Sequence, residues 1–467
     1  FCLDRKNMVR KLKASQARPT LTKDAISQLP NDLTCQILSL LSTKEAVKTS
    51  VLSTRWRHLW LSLPCLELKS REFLDLKNFT SFGDRFFDST RVSCIQEVKL
   101  TIHKKDVSDG YFLTSWFDAA VKRKIQHLHV GSYSYADRRF NKMPQRVYNC
   151  ETLVCLKLFQ VTLSDAEFVS LPSLKTMHLE YIEFPNEATF ETLVLCSPVL
   201  ECLKIVVASD DEKVFRVHSR SLKRLTFERV SPFLFDSAGV VIDAPRLCFL
   251  NINDNISKSV IIHKLESNAV LQISLLGIVR LEEFDDEFFD DIYEVIVSSK
   301  ISNIHKFLHG ISMARSMKIC RGTLKIMCHY SKLEPFPQFS NMSYLDITLY
   351  PREFKWLPAF LESFPNLKYL ALVMVCDDRK GGFSEDIDQV SFSSVPECLL
   401  SSLEFVELIA PVQYDVELKL VKYLLKNSAV LEKLILRLAS YNSRRDYMLK
   451  KLLKIPRVST KCKVVIL

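Results

Sequence analysis

The chain has 467 residues, of which 47% are hydrophobic and only 9 are Gly and 17 are Pro; this excludes disorder over most of its length and predicts several domains or a repeat array. The formal net charge of +10 arises at the two ends, since residues 1–24 carry +5, residues 440–467 carry +7 and the middle carries −2. A near-neutral body is not typical of nucleic-acid binding, and no uncharged apolar run is long enough to span a membrane.

Residues 1–24 are polar and basic and lack apolar periodicity, so we predict a flexible, solvated tail. The next residues, 25–62, are predicted to form a module of short helices. Pro30 fits the first turn of a helix, because its missing N–H would have no helical partner there. The apolar residues that follow recur at helical spacing and give the first helix one apolar face: Leu33, Ile37, Leu38, Leu40 and Leu41.

Capping residues predict two more helices in this module. Ser42 and Glu45 have the spacing of a capping box, so a second helix should begin at this serine. Ser53 or Thr54 is expected to cap a third helix. On the second helix, Ala46, Val47 and Val51 are predicted to point inward. On the third helix, Trp56, Leu59 and Trp60 are predicted to lie on one side. Such short helices bury too little surface to be stable alone, so the module needs a partner surface.

This module, LPNDLTCQILSLLSTKEAVKTSVLSTRWRHLW from 29 to 60, resembles an F-box of the plant kind. The resemblance implies binding to a Skp-type adaptor and, through it, to a cullin-RING ubiquitin ligase, while the rest of the chain selects a protein substrate. We expect Trp56 to be an interface anchor, because large aromatic side chains concentrate binding energy. The alternative is that most of these residues form the module's own core. Adaptor contacts are implied among Leu29, Pro30, Leu33, Ile37, Leu38, Leu41, Val51 and Trp56.

Residues 63–92 are predicted to connect this module to a repeat array, through a short strand and a helix that carries four Phe residues. From 93 to 395 a pattern of apolar-x-x-apolar-x-apolar recurs, with a degraded copy near Ala314. The pattern resembles irregular leucine-rich repeats, which implies an α/β solenoid with a curved parallel sheet. The copies are IQEVKL, IQHLHV, LVCLKL, LKTMHL, LECLKI, LKRLTF, LCFLNI, VLQISL, MSYLDI, LKYLAL and, beyond 395, LEFVEL and LEKLIL.

An acidic stretch interrupts the array at 280–313 and is expected to open a helix, because a helix N-terminus favours negative charge. Residues 396–467 resemble the FBD segment of plant F-box proteins. There Asp415 is predicted to cap an amphipathic helix, and a second helix near 444–454 and a final strand, CKVVIL, close the end of the array. The helix is expected to bury Val416, Leu420, Val421, Leu424 and Leu425.

Strand alternation predicts that the third and fifth residues of each repeat pattern face the concave side of the sheet. The fifth position gives a basic column and then polar residues: Lys99, His129, Lys157, His178, Lys204, Thr226, Asn251 and Ser274. The third position gives Arg224 and later the aromatic residues Tyr344, Tyr369 and Phe405. We predict a substrate segment with acidic residues near one end and an apolar anchor near the other. The alternative is a row of ordinary solvated lysines.

No catalytic constellation is present, since the chain lacks a glycine-rich phosphate loop and a GxSxG elbow. The 14 cysteines include no CxxC pair, which favours free thiols in a reducing compartment, in the cytoplasm, the nucleus or both. No clustered ligands predict a metal or other cofactor. We therefore expect a non-catalytic substrate-recognition subunit of a ubiquitin ligase. The alternatives are a non-ligase interaction scaffold and a ligand-sensing F-box receptor.

Overall fold

The structure is a computed structural model, and the tail predicted at 1–24 and residues 280–302 of the predicted acidic stretch lie outside the residues that it describes. The described residues are 28–90, 92, 95–103, 111–133, 141–165, 168–207, 213–229, 237–255, 257–275, 303–349, 351–375, 392, 394–410, 415–438, 450–452 and 454–467.

The N-terminal module begins with α1 (Asn31–Leu38) and α2 (Thr43–Lys48). The predicted cap at Ser42 is confirmed, because its hydroxyl accepts a hydrogen bond from the Glu45 N–H at 3.3 Å. The Glu45 carboxylate does not complete a capping box in the predicted way; it forms an ion pair with Lys48 at 2.9 Å.

The third helix of the module differs from the prediction. Residues Trp56–Ser62 form a 3₁₀ helix, and neither Ser53 nor Thr54 caps it, since the preceding residue is the helical Arg55. A 3₁₀ helix places side chains three residues apart in line, so Trp56 and Leu59 point the same way, into the module. Further 3₁₀ helices in the described chain are Thr49–Val51, Ser70–Glu72, Gln145–Asn149 and Pro351–Trp356.

The remainder of the described chain alternates strands with helices. The strands are β1 (Cys65–Lys69), β2 (Glu97–Ile102), β3 (His127–Ser132), β4 (Asn141–Lys142), β5 (Cys155–Phe159), β6 (Val161–Thr162), β7 (Thr176–Glu180), β8 (Cys202–Val207), β9 (Val214–His218), β10 (Arg224–Arg229), β11 (Ser237–Asp243), β12 (Phe249–Asp254), β13 (Ser257–Ile262), β14 (Val270–Ser274), β15 (Ser316–Ile319), β16 (Tyr344–Leu349), β17 (Tyr369–Met374), β18 (Phe405–Ala410), β19 (Lys433–Leu438) and β20 (Lys463–Ile466). The helices are α3 (Leu76–Phe87), α4 (Tyr111–Lys122), α5 (Glu187–Leu195), α6 (303–311), α7 (Arg321–Tyr330), α8 (Leu357–Leu361), α9 (Glu397–Ser401) and α10 (Asp415–Asn427).

Fifteen strands of the described chain form one parallel sheet in the order β1, β2, β3, β5, β7, β8, β10, β12 and β14 to β20. Strands β9, β11 and β13 form a second parallel sheet, and β4 pairs with β6. Each main strand pairs with the strand of the next repeat, as expected when no repeat can bury its apolar side alone. This large parallel sheet with intervening helices confirms the predicted α/β class.

The register of the sheet confirms the repeat frame and corrects it at one place. The degraded copy near Ala314 supplies β15, where Ser316 pairs with Tyr344 of β16. At VLQISL the predicted frame is two residues too late, because Phe249 pairs with Val270, so Gln272 and not Ser274 occupies the fifth position. The pattern requires an apolar residue at its first position, but in the true frame this position is occupied by the polar Asn268. This substitution hid the frame in the sequence.

The segment at 63–92 is more than a connector. Its strand β1 pairs with β2, with Cys65 opposite Glu97, so the sheet begins upstream of the predicted boundary at 93. Its helix α3 packs closely against α4: a Cβ on Gly83 would lie only 1.9 Å from Cζ2 of Trp116. The Trp116 indole donates a hydrogen bond to Asp84 at 2.8 Å and fixes this approach.

The C-terminal segment ends the sheet as predicted. The helix α10 buries Leu420, Val421, Leu424 and Leu425, and β20 pairs with β19. Of the second predicted helix, residues 450–452 are described and are helical. No helix among the described residues is long and apolar enough to cross a membrane.

Candidate protein-interaction surfaces

The N-terminal module has a small core of its own. Trp56 is only 7% exposed, which corrects its predicted role as an interface anchor. Leu38, another predicted adaptor contact, is 1% exposed and belongs to the same core. The core residues are Leu38, Ala46, Trp56, Leu59 and Leu63.

The same module leaves a second set of apolar side chains outside this core. Leu33, Ile37 and Leu41 of the predicted adaptor contacts are exposed, and Val51 is 86% exposed and not inward as predicted. Pro30 is also exposed, and Leu29 is half-buried. Two further exposed residues, Leu40 and Leu52, are absent from the predicted contacts although both lie beside predicted ones in the sequence. Exposed apolar patches of this kind mark interaction surfaces.

The module is fixed to the sheet and does not hang from a flexible linker. Thr43 of α2 accepts a hydrogen bond from the Glu67 N–H of β1 at 2.8 Å. Trp60 stacks on Phe82 and on Phe86 of α3, with ring centroids 5.8 Å apart in each pair. Stacked aromatic pairs of this type add about 0.5–1.5 kcal/mol beyond the area that they bury. These contacts set the orientation of the exposed apolar residues relative to the repeats.

One face of the main sheet, which the sequence predicts to be concave, is called the open face here. It carries the third and fifth residues of each repeat, which are mostly half-buried or exposed, while the residues between them are buried. The register brings the basic column together as a single row across five strands: Lys99, His129, Lys157, His178 and Lys204. Arg224 lies on β10 opposite Cys202 of β8, two residues before Thr226, which continues this row.

The basic row carries less charge than its sequence indicates. Lys99 forms an ion pair with Glu97 at 3.0 Å, and Lys204 forms one with Glu180 at 2.9 Å. Burial, together with the charge of Lys157, lowers the pKa of His129 to about 4. Burial and the same lysine also lower the pKa of His178, so His129 is neutral at pH 7 and protonation of His178 is disfavoured. Among the described residues Lys157 has no ion-pair partner.

The second half of the open face carries an aromatic ladder, defined as Tyr344, Tyr369 and Phe405. The Tyr344 and Tyr369 rings stack at 4.9 Å, and the Tyr369 and Phe405 rings at 6.1 Å. The Tyr369 hydroxyl donates to the Glu407 carboxylate at 2.5 Å, and Arg437 donates to the same group. These hydrogen bonds, first from Arg437 and then from Tyr369, lower the pKa of Glu407 and keep it ionised.

Two carboxylates beside the ladder were missed in the sequence. Asp346 and Glu407 occupy the fifth positions of MSYLDI and LEFVEL, so the column that gave the basic row would have revealed them in the later repeats. Between them, in register, lies Ala371.

The thiols and imidazoles of the open face do not form a metal site. Cys155 lies 3.7 Å from Nε2 of His129. Within the described part of the chain, no group of three or more His, Cys, Asp or Glu residues could hold a metal ion. The described cysteines are free, and Cys155 is buried while Cys202 and Cys248 are half-buried.

Comparison with known proteins agrees with this architecture. The F-box domain profile matches residues 26–68, a profile of the LRR repeats of an FBD-associated F-box protein matches 113–282, and the FBD profile matches 389–436. The putative FBD-associated F-box protein At5g53635 of Arabidopsis thaliana is 52% identical over 450 residues, which cover 94% of this chain and 99% of that protein. The chain belongs to the F-box/FBD/LRR-repeat family.

Other members of the F-box/FBD/LRR-repeat family match over similar lengths. The putative F-box/FBD/LRR-repeat protein At5g25850 of Arabidopsis thaliana is 49% identical over 463 residues, 91% of this chain and 92% of that protein. The F-box/FBD/LRR-repeat protein At5g22660 of the same plant is 41% identical over 451 residues, 95% of this chain and 96% of that protein. An F-box is a protein-interaction domain that in general binds a Skp-type adaptor, and members of this family are generally non-catalytic adaptors.

Proposed function

We propose that this protein is the substrate-recognition subunit of an SCF-type cullin-RING ubiquitin ligase. The observation that carries the proposal is the separation of two apolar sets in the F-box: one is sealed around Trp56, and the other, which includes Leu33, Ile37 and Val51, is exposed. An isolated fold gains nothing from the second set, whereas an adaptor would bury it. The chain itself transfers no ubiquitin; it holds a substrate close to the enzyme that does so.

The open face of the repeats is the proposed substrate surface. It offers half-buried and exposed side chains across the sheet, including Lys157, Arg224, Tyr344 and Tyr369. The firm attachment of the F-box through Thr43 supports this role, because a substrate held on a rigid arm keeps its distance from the ligase.

Adaptor binding tests the proposal. The double variant Leu33→Ser and Val51→Ser removes exposed apolar surface and should abolish co-purification with a Skp-type adaptor. A matched control is Leu400→Ser, because Leu400 is 54% exposed but lies in α9, outside the F-box. Retained adaptor binding by the folded double variant would contradict the proposal, as would loss of binding in the control.

A further inference from the structure

The basic row contains one lysine without a carboxylate partner. Lys99 and Lys204 are paired with Glu97 and Glu180, whereas Lys157 has no ion-pair or hydrogen-bond partner among the described residues. Its side chain is half-buried and lies on the open face of β5. An anionic group of a partner could therefore bind Lys157 without breaking an ion pair within the chain.

The neighbours of Lys157 in the row do not compensate its charge. The register places His129 and His178 on either side of it, on β3 and β7. Burial is the first cause of the low pKa of both histidines and the charge of Lys157 is the second, so the potential around the row is positive. Glu228 on the same face is three strands away, roughly 14 Å by the spacing of strands, and is too far to neutralise this lysine.

Beside Lys157 lies an aromatic stack, defined as His103, Tyr133, Phe159 and Tyr181. Phe159 follows Lys157 by two residues on β5, and strand alternation places both side chains on the open face. The ring centroids succeed one another across the strands, at 5.1 Å from His103 to Tyr133, 4.7 Å from Tyr133 to Phe159 and 5.7 Å from Phe159 to Tyr181.

Gly131 and Tyr181 determine how the aromatic stack is presented. Gly131 pairs with Phe159, and a Cβ on this glycine would lie only 3.0 Å from the Tyr133 ring. The Tyr133 ring therefore covers the glycine and lies level with Phe159. Tyr181 is 41% exposed and meets Phe159 edge to face, with an interplanar angle of 83°. The stack thus offers a partly exposed aromatic surface next to the unpaired lysine.

The spacing of these groups matches that of an extended peptide. Lys157 and Phe159 are about 6.6 Å apart along β5, and two side chains of an extended peptide that are two residues apart have the same spacing and point the same way. A carboxylate binds a lysine through a charge-assisted hydrogen bond, and an aromatic side chain packs against the faces and edges of other rings.

We infer that Lys157 and the aromatic stack bind an acidic side chain and, two residues away, an aromatic side chain of the substrate protein. This inference deepens the proposed function and rests on it, because it names the residues recognised on the same open face. The acidic anchor agrees with the expectation from the basic row. The aromatic anchor differs from that expectation, since it lies in the same repeats and not toward the other end of the sheet.

A peptide selection on the purified full chain tests the inference. A displayed library of random twelve-residue peptides is selected against the immobilised protein, and the enriched peptides are sequenced and synthesised. Aspartate or glutamate should be enriched with phenylalanine, tyrosine or tryptophan two positions away. Replacement of the acidic residue in the synthetic peptide by its amide should weaken binding by about tenfold, because it removes the charge.

Variants of the chain locate the peptide. Lys157→Gln removes the charge and should weaken binding of the selected peptide by about tenfold, whereas Lys157→Glu should prefer a peptide whose acidic residue is replaced by lysine. Tyr181→Asn removes the exposed ring and should weaken binding by about fivefold, since asparagine tolerates the φ of 54° at this position. The matched control is Lys433→Gln, because Lys433 is a half-buried lysine of the open face on the distant strand β19. It should change the affinity less than twofold.

Four outcomes overturn the inference: enrichment of basic or uncharged residues at the acidic position, acidic residues without an aromatic residue two positions away, equal binding by wild type and Lys157→Gln, or no peptide recovered above a blank support. Circular dichroism checks that the variants are folded, and Lys157→Gln alone decides if Tyr181→Asn is not. Adaptor binding is measured on the same protein samples. Loss of adaptor binding with peptide selection intact would contradict the ligase role and leave the peptide site standing; the reverse result would contradict the peptide site alone.

Discussion

The hydroxyl of Thr43 accepts a hydrogen bond from the backbone N–H of Glu67 at 2.8 Å, so helix α2 of the F-box covers the outer edge of β1. An uncovered edge strand would present unpaired backbone groups that invite association with other strands. The F-box therefore has two roles in the architecture: it closes one end of the sheet, and it presents an apolar surface away from it.

Replacing Thr43 by valine tests this closure. The substitution keeps the shape of the side chain but removes the acceptor, so the half-buried Glu67 N–H loses its partner. We expect the free energy of unfolding to fall by about 1–2 kcal/mol and the Glu67 amide to exchange faster with deuterium. Thr80→Val is the control, because the hydroxyl of this half-buried residue of α3 donates to the Lys77 carbonyl and not to β1; it should leave the Glu67 amide unchanged. Equal exchange rates in wild type and Thr43→Val would show that this bond does not hold the edge.

Trp56 and Leu33 should respond in opposite ways to truncation. Trp56→Ala empties the centre of the small F-box core and should destabilise the module by about 3–5 kcal/mol. Leu33→Ala removes an exposed side chain and should change stability by less than about 0.5 kcal/mol while weakening adaptor binding. Thermal unfolding and adaptor titration separate the two effects. A stable Trp56→Ala variant that fails to bind would return this residue to the interface.

His129 should make the protein less stable in mild acid. Its pKa is lowered from 6.5 to about 4 in the folded chain, first by burial and then by Lys157. The unfolded chain therefore binds the proton more readily, and the stabilisation is complete above pH 6.5 and is lost as the pH falls toward 4. The loss amounts to about 3 kcal/mol at most, since one pKa unit is about 1.4 kcal/mol.

Denaturant unfolding at pH 7 and pH 5 measures this effect. His129→Gln should reduce the difference in unfolding free energy between the two pH values. His58→Gln serves as the control, because His58 is exposed. A pH dependence that survives intact in His129→Gln would assign it to other groups.

Gly83→Ala should destabilise the protein although alanine is the better helix former. In a helix interior the exchange normally gains about 1 kcal/mol. Here the added Cβ would lie within 2.5 Å of three atoms of the Trp116 ring, which is packed among Phe79, Phe87 and Phe112 and cannot move freely. We expect a net loss of about 1–3 kcal/mol by thermal unfolding, as is typical of overpacking. An increase in stability would mean that the ring shifts at little cost.

Local patterns predicted much of the fold, and burial was the weaker part of the prediction. The repeat frame gave most strands and the side chains that line the open face, because strand alternation is strictly periodic. It failed at Val270, where a polar Asn268 occupies an apolar position. Trp56 was misassigned because helical spacing shows which residues share a side and not whether a neighbouring chain segment already covers that side.

The charges of the open face depend on contacts between repeats. Glu97 and Lys99 are two positions apart on one strand, so their pairing could have been read from the sequence. The pair of Lys204 with Glu180 joins neighbouring strands and requires the register. The low pKa of His129 requires its burial, which no single repeat reveals.

Because the main sheet is unbroken, the number of repeats sets the distance between the F-box and any later repeat. From β1, beside the F-box, to β17, which carries Tyr369 of the aromatic ladder, the chain advances by one strand spacing per repeat, roughly 50 Å in all along the sheet. Gain or loss of a single repeat would move the aromatic ladder by about 5 Å and rotate it by the twist between adjacent strands. Relatives with different repeat numbers would thus hold this part of the open face at different distances from the F-box.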